Sequence, residues 1–214
     1  MFAGAIHADS GAPRFLALGD SYTIGEGVDE AQRWPAQLVR GLRANGFAID
    51  AATIVAKTGW RTDELAHAIG AASLKPPYAL VTLMIGVNDQ YQGRDVDQYR
   101  NGFASLLRRA IALAGNDPQH VIVISIPDWG VTRFASEQGR DAAPAATAID
   151  AFNKVARAIC RADGIAWVDV TTASRVAGAS QGELTEDGLH PSARQYARWV
   201  DAILPAAAAV LGAH

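Results

Sequence analysis

Ser21, Asn88, Asp187 and His190 are residue types that could together attack a carbonyl carbon and hold the resulting charge. A serine hydroxyl is a weak nucleophile until a base takes its proton, and an imidazole oriented by a carboxylate is a suitable base. Asp187 stands three residues before His190, directly ahead of Pro191. One short segment could therefore set the carboxylate against Nδ1 and leave Nε2 facing a serine. The oxyanion formed by such an attack needs hydrogen-bond donors. Gly59, in Thr58-Gly59-Trp60, offers a backbone N–H that a substrate can approach because no side chain intervenes. Asn88, in Gly86-Val87-Asn88-Asp89, offers a side-chain amide.

Each feature also has a plainer reading. Gly19-Asp20-Ser21 is a common turn tripeptide, and a glycine after a strand usually serves a turn. Asn88-Asp89 is a turn-forming pair. Asp187 or Ser192 could cap a helix, with His190 as a polar neighbour. Asp20 reads as a structural carboxylate that shapes the turn before Ser21. Trp60 and the loop holding Trp129 and Phe134 are either walls of a substrate pocket or ordinary packing.

The elements that must position these residues decide between the readings. Five apolar runs bounded by turn residues predict buried strands over 15–18, 48–56, 79–85, 121–126 and 165–170. Helical patterns fall between and after them. Trp34 to Ala44 stops at Asn45-Gly46. Thr62 is expected to cap a helix to about Ala72, and Asp95 to Ala114 ends at Gly115. Pro144 is expected to open a helix to Ala162, and Pro191 one to about Leu211. Strands alternating with helices predict an α/β fold, a three-layer α/β/α sandwich around a five-stranded parallel sheet. Right-handed crossovers favour the flavodoxin-like order 2-1-3-4-5. Ser21 then follows strand one, Gly59 strand two, Asn88 strand three, and Asp187 and His190 strand five. All lie toward the carboxyl edge, where open α/β sheets bind ligands.

The blocks Gly19-Asp20-Ser21, Gly59, Gly86-Val87-Asn88-Asp89 and Asp187-Gly188-Leu189-His190, in this order, resemble the SGNH hydrolases, a branch of the GDSL esterase/lipase superfamily. The resemblance runs from residue 15 to about 200. It implies the same sheet order and a two-step acyl transfer without metal or organic cofactor. Ser21 would be the nucleophile, His190 the base and Asp187 its orienter. The N–H groups of Ser21 and Gly59 and the Asn88 amide would form the oxyanion hole. Tyr22 stands where the GDSL motif has leucine, a position at which the family is tolerant. The resemblance extends over lysophospholipases, thioesterases, arylesterases and carbohydrate deacetylases. Without a lid domain or a long apolar segment, a small ester with a short acyl chain is the expected substrate. A lysophospholipase or thioesterase, an acyltransferase, and an inert ligand-binding module on the same fold are the alternatives.

Composition bounds the remaining possibilities. The 214 residues fit a single domain, with a core over about 15–211 and an N-terminal extension over 1–13. Half are hydrophobic and 19% charged, unlike a disordered chain. A net charge of -3 and scattered basic residues argue against nucleic acid as a partner. No stretch is long and apolar enough for stable membrane insertion, and Met1 to His7 does not read as a signal peptide, so a cytoplasmic protein is expected. Cys160 is the only cysteine and reads as a small buried residue. His7, His67, His120 and His214 read as surface or packing residues, and no metal-ligand spacing occurs. There is no Gly-x-Ser-x-Gly elbow and no Walker loop. Oligomeric state is not legible.

Overall fold

A computed structural model of the chain describes residues 11–212; the signal-peptide reading of Met1 to His7, and His214, lie outside them. Three apolar runs form the centre of the sheet: β1 (Phe15–Gly19), β3 (Leu80–Met84) and β4 (Val121–Ile124), with every residue buried. Such strands lack alternation because helices cover both faces. Each fully buried Leu, Ile or Phe here contributes about 1.5–3 kcal/mol from removal of apolar surface from water. The edge strands β2 (Thr53–Ala56) and β5 (Ala166–Val168) are only partly covered. All pairings are parallel in the order β2-β1-β3-β4-β5, as expected. Leu18 of β1 lies opposite Val55 on one side and Leu83 on the other.

The long helices match the sequence pattern: α2 (Trp34–Ala44), α3 (Thr62–Ala71), α5 (Val96–Leu113), α7 (Ala142–Ala162) and α9 (Ala193–Gly212). Four short ones fill the loops at the carboxyl edge: α1 (Ser21–Ile24), α4 (Val87–Tyr91), α6 (Arg133–Glu137) and α8 (Thr171–Ala177). Periodicity cannot reveal helices of only one or two turns. Several starts need correction. Thr62 does not cap α3; it is the first helical residue, and the Glu64 carboxylate accepts from the Arg61 N–H at 3.0 Å. The helix around Pro144 opens earlier, because the Asp141 side chain accepts from Ala143 N–H at 3.0 Å and Pro144 fits within the first turn. The last helix starts at Ala193 rather than Pro191, and the Ser192 hydroxyl accepts from Gln195 N–H at 3.3 Å. β2 and β5 are shorter than predicted, since 48–52 and 169–170 run on without sheet partners.

α2 packs against α9 on one face of the sheet, while α3, α5 and α7 lie side by side on the other. Trp34 and Trp199 are fully buried in the first layer, Tyr99 and Phe103 in the second, where the Tyr99 ring stacks on Phe152 at 4.6 Å. Cys160 is buried, and burial pushes its thiol up to about 12, as suits an inert core residue. Among the described residues no helix is long and apolar enough to cross a membrane.

Candidate active site

Ser21 sits where β1 breaks into α1. The Asp20 side chain caps this one-turn helix, accepting from Tyr22 N–H at 3.0 Å. Ser21 is the first helical residue, 5% exposed, and its N–H forms no hydrogen bond among the described residues. Asp20 is buried, and burial foremost, with the Asp89 charge adding, raises its carboxyl to about 7 against the pull of the Tyr22 N–H. It shapes the turn, as its position in the sequence implied.

The loop before α9 builds the Asp–His pair. Asp187 Oδ1 accepts from the N–H groups of Leu189 and His190, at 2.8 and 3.0 Å, and from the Thr185 hydroxyl at 2.7 Å. These bonds aim Oδ2 at His190 Nδ1, 2.6 Å away. His190 is buried, and its ring lies against that of Tyr22, with centroids 5.5 Å apart. Partial burial pushes the Asp187 carboxyl up, but the hydrogen bonds from His190, Leu189 and Thr185 outweigh it and hold the group at about 2. An ionised carboxylate on Nδ1 fixes the tautomer in which Nε2 is free to accept a proton.

Gly59 and Asn88 come from separate loops that are tied together. Gly59 has φ +83, a region that favours glycine, and no atom lies within 4 Å of where a Cβ would stand. Its N–H is also without an acceptor among the described residues. Asn88 follows Gly86, whose φ of +129 and contact with the Tyr99 ring exclude a side chain there. One Asn88 amide hydrogen goes to the Trp60 carbonyl at 3.0 Å, which leaves the second for a ligand. Next to it, buried Asp89 accepts from Thr62 N–H at 3.0 Å and from the Thr62 hydroxyl at 2.7 Å. The Gly59 loop is also joined to the α1 loop by a hydrogen bond between Thr58 and Glu26.

Ser21, Asn88 and His190 meet at a cavity of about 120 Å³, lined also by Tyr22, Val87, Tyr91, Trp129, Phe134 and Leu189; Gly59 does not line it. Trp129 thus stands in its wall. Trp60 does not line this cavity; it is partly buried against the core, and its contribution to the region is its carbonyl, the acceptor for Asn88. Val87, Tyr91 and Leu189 were not singled out in the sequence. Val87 and Leu189 adjoin motif residues, but nothing in the sequence marks Tyr91. A larger, polar groove of about 630 Å³ lies beside β5, between α7 and α8, and contains none of the candidate groups. Among the described residues no three His, Cys, Asp or Glu side chains gather as a metal site requires.

A doubly wound sheet with a serine, an asparagine and an Asp–His pair around one cavity at its carboxyl edge defines a class, the α/β/α hydrolases of esterase type. Within it the chain belongs to the GDSL-like lipase/acylhydrolase family, whose model matches residues 17–198. It is 25% identical over 197 residues to the esterase TesA of Pseudomonas aeruginosa, covering 91% of this chain and 87% of that one. A crystal structure of TesA has a TM-score of 0.72 at 23% identity, over 92% of this chain and 99% of that one. A variant of Axe2, an acetyl-xylooligosaccharide esterase from Geobacillus, gives 0.70 at 21% identity, over 91% and 94%. The two structural likenesses establish the fold.

Proposed function

We propose that the protein is a serine esterase that cleaves short-chain carboxylic esters through an acyl-enzyme on Ser21. One observation carries this reading: Ser21 shares a small apolar cavity with an imidazole whose Nδ1 is bound by an ionised carboxylate at 2.6 Å. His190 Nε2 takes the hydroxyl proton as Ser21 Oγ bonds to the ester carbonyl carbon. The carbonyl oxygen becomes an oxyanion, to which the Ser21 and Gly59 N–H groups and the free Asn88 amide hydrogen donate. His190 returns the proton to the departing alcohol as the C–O bond breaks. Water then enters and gives a proton to His190 as its oxygen bonds to the acyl carbon. His190 passes that proton to Ser21 Oγ as the acyl–Oγ bond breaks, releasing the acid and restoring the hydroxyl. Asp187 orients the imidazole and stabilises its charged form.

Cavity size supports the acyl preference. About 120 Å³ is less than the roughly 150 Å³ that accommodates a benzene ring in an engineered core. A few heavy atoms fill it, which suits acetyl to butyryl groups.

The test is a series of p-nitrophenyl esters of graded acyl length, combined with a fluorophosphonate probe and peptide mapping. The expected result is hydrolysis with kcat/KM highest from acetyl to butyryl, and a single adduct on Ser21. Acyl transfer to an added alcohol in preference to water would make the protein a transferase. No hydrolysis and no adduct would make it a binding module.

A further inference from the structure

The cavity wall formed by Trp129 has one feature that the ester-cleaving chemistry does not require. The buried indole of Trp129 donates from Nε1 to the Gln90 side-chain carbonyl at 2.7 Å. Gln90 lies on α4, two residues after Asn88, so the helix carrying the candidate oxyanion donor also holds the pocket wall.

The backbone of Trp129 is fixed independently of this bond. Asp128 precedes it and accepts from Gly130 N–H at 2.9 Å and from Arg175 Nε at 2.8 Å, while its own N–H donates to Ser174 Oγ at 2.8 Å. The Trp129 carbonyl accepts from the Thr132 hydroxyl at 2.6 Å. The indole is packed among buried side chains with the Tyr91 ring edge-on at 5.1 Å, and its N–H is held by the Gln90 bond. Tyr91 is 42% exposed and so is a weak buttress by itself. A buried indole N–H that loses its acceptor pays a desolvation penalty and is driven to find water. Turning the ring outward would satisfy it and would lengthen the cavity.

We propose that Gln90 is a positioning residue that sets acyl-chain specificity by locking Trp129 as the end wall of the pocket. This rests on the serine-esterase reading above. Gln90 touches no reacting atom in this scheme; it acts through the indole.

The experiment measures kcat/KM for p-nitrophenyl acetate, butyrate and octanoate with the full chain and with Gln90→Leu, Gln90→Glu, Trp129→Phe and the Gln90→Leu/Trp129→Phe double variant. Thermal melts confirm that each is folded. Each methylene newly buried is worth about fourfold, so two of them raise the octanoyl-to-acetyl ratio about fifteenfold in Gln90→Leu. Gln90→Glu keeps an acceptor and is expected to return the ratio to that of the original chain. In the Trp129→Phe background there is no N–H left to hold, so Gln90→Leu is expected to add nothing. An unchanged ratio in Gln90→Leu, or an additive effect in the double variant, overturns the proposal. Should Gln90→Leu not fold, Gln90→Ala in the original chain and in Trp129→Phe decides the question. A raised ratio only where the indole N–H is present supports the proposal, and no shift, or an equal shift in both, overturns it. If the unmodified protein hydrolyses no ester and takes no phosphonate on Ser21, the esterase reading fails and this proposal falls with it. If it does both and only the ratios stay fixed, the role of Gln90 alone is refuted.

Discussion

Asp89 accepts both hydrogens that Thr62 has to give, the backbone N–H at 3.0 Å and the hydroxyl at 2.7 Å. Two loops that meet only in space are thereby locked together, and each carries a candidate oxyanion donor. Replacing Asp89 with leucine leaves two buried donors unpaired, at about 1–3 kcal/mol each. We expect Asp89→Leu to lower the urea midpoint and to reduce kcat more than it changes KM. Asp89→Asn keeps one acceptor and is expected to fall between. Unchanged kcat in a folded Asp89→Leu protein would show that the Gly59 loop keeps its place without this clamp.

Ser21 and His190 act on one proton in the proposed mechanism, so their losses should not add. Ser21→Ala and His190→Ala are each expected to remove nearly all ester hydrolysis, and the double variant is expected to be no worse than either. Active-site titration with a phosphonate provides the check: labelling should vanish in Ser21→Ala and slow greatly in His190→Ala. An adduct mapped to Ser105 or Ser125 would displace Ser21 from its role.

One Asn88 amide hydrogen is on the Trp60 carbonyl, and in the proposed mechanism the other donates to the oxyanion. Asn88→Ala removes both. A single oxyanion donor is worth about 10²–10³ in kcat, and that loss with a small change in KM is the expected result. A change confined to KM would mean that Asn88 binds the ground state.

The contrast between Asn88 and Trp60 shows what was legible in the sequence. The sheet order and the long helices follow from unbroken apolar runs such as Val121–Ile124 and from periodic segments such as Val96–Leu113. Those patterns are local, so they can be read without coordinates. Asp187 and His190 are also close in sequence, and the loop between them explains their contact. Trp60 is different. A tryptophan beside a motif glycine reads equally well as pocket wall or as packing, and only the path of the chain places its ring against the core and its carbonyl against Asn88. Gln90 with Trp129, and Asp89 with Thr62, are pairs separated by 39 and 27 positions. No local pattern announces either bond. The one-turn helices at the carboxyl edge escaped for a similar reason: they are set by caps such as Asp20 and Thr132 rather than by periodicity.

Asp187 should leave a mark on acid stability. Its carboxyl is held at about 2 against an ordinary 3.8, so between these values the unfolded chain binds more protons than the folded one. Its contribution is fully present above about pH 4 and is lost as pH falls toward 2. Asp187→Asn has no such group, and the stability gap between the two proteins is expected to close over that window in urea titrations. The side chain is 41% exposed, so added salt should narrow the gap as well. A gap that stays constant from pH 5 to pH 2 would mean that Asp187 supports the loop as a hydrogen-bond acceptor without depending on its charge.

Asp20 should do the opposite at higher pH. Burial first, then the nearby Asp89 charge, raises its carboxyl from 3.8 to about 7, with the Tyr22 N–H opposing them. The folded protein therefore holds a proton that the unfolded chain releases near pH 4. Stability from this group is full below about pH 4 and falls as pH rises toward 7, where the fold must carry a buried charge. Asn in its place still accepts from Tyr22 N–H and cannot ionise. Melting temperatures of the original chain and Asp20→Asn, measured from pH 4 to pH 8, are expected to diverge steadily in favour of the variant. Parallel curves would show that Asp20 is already ionised at pH 4 and that the turn before Ser21 is built around its charge.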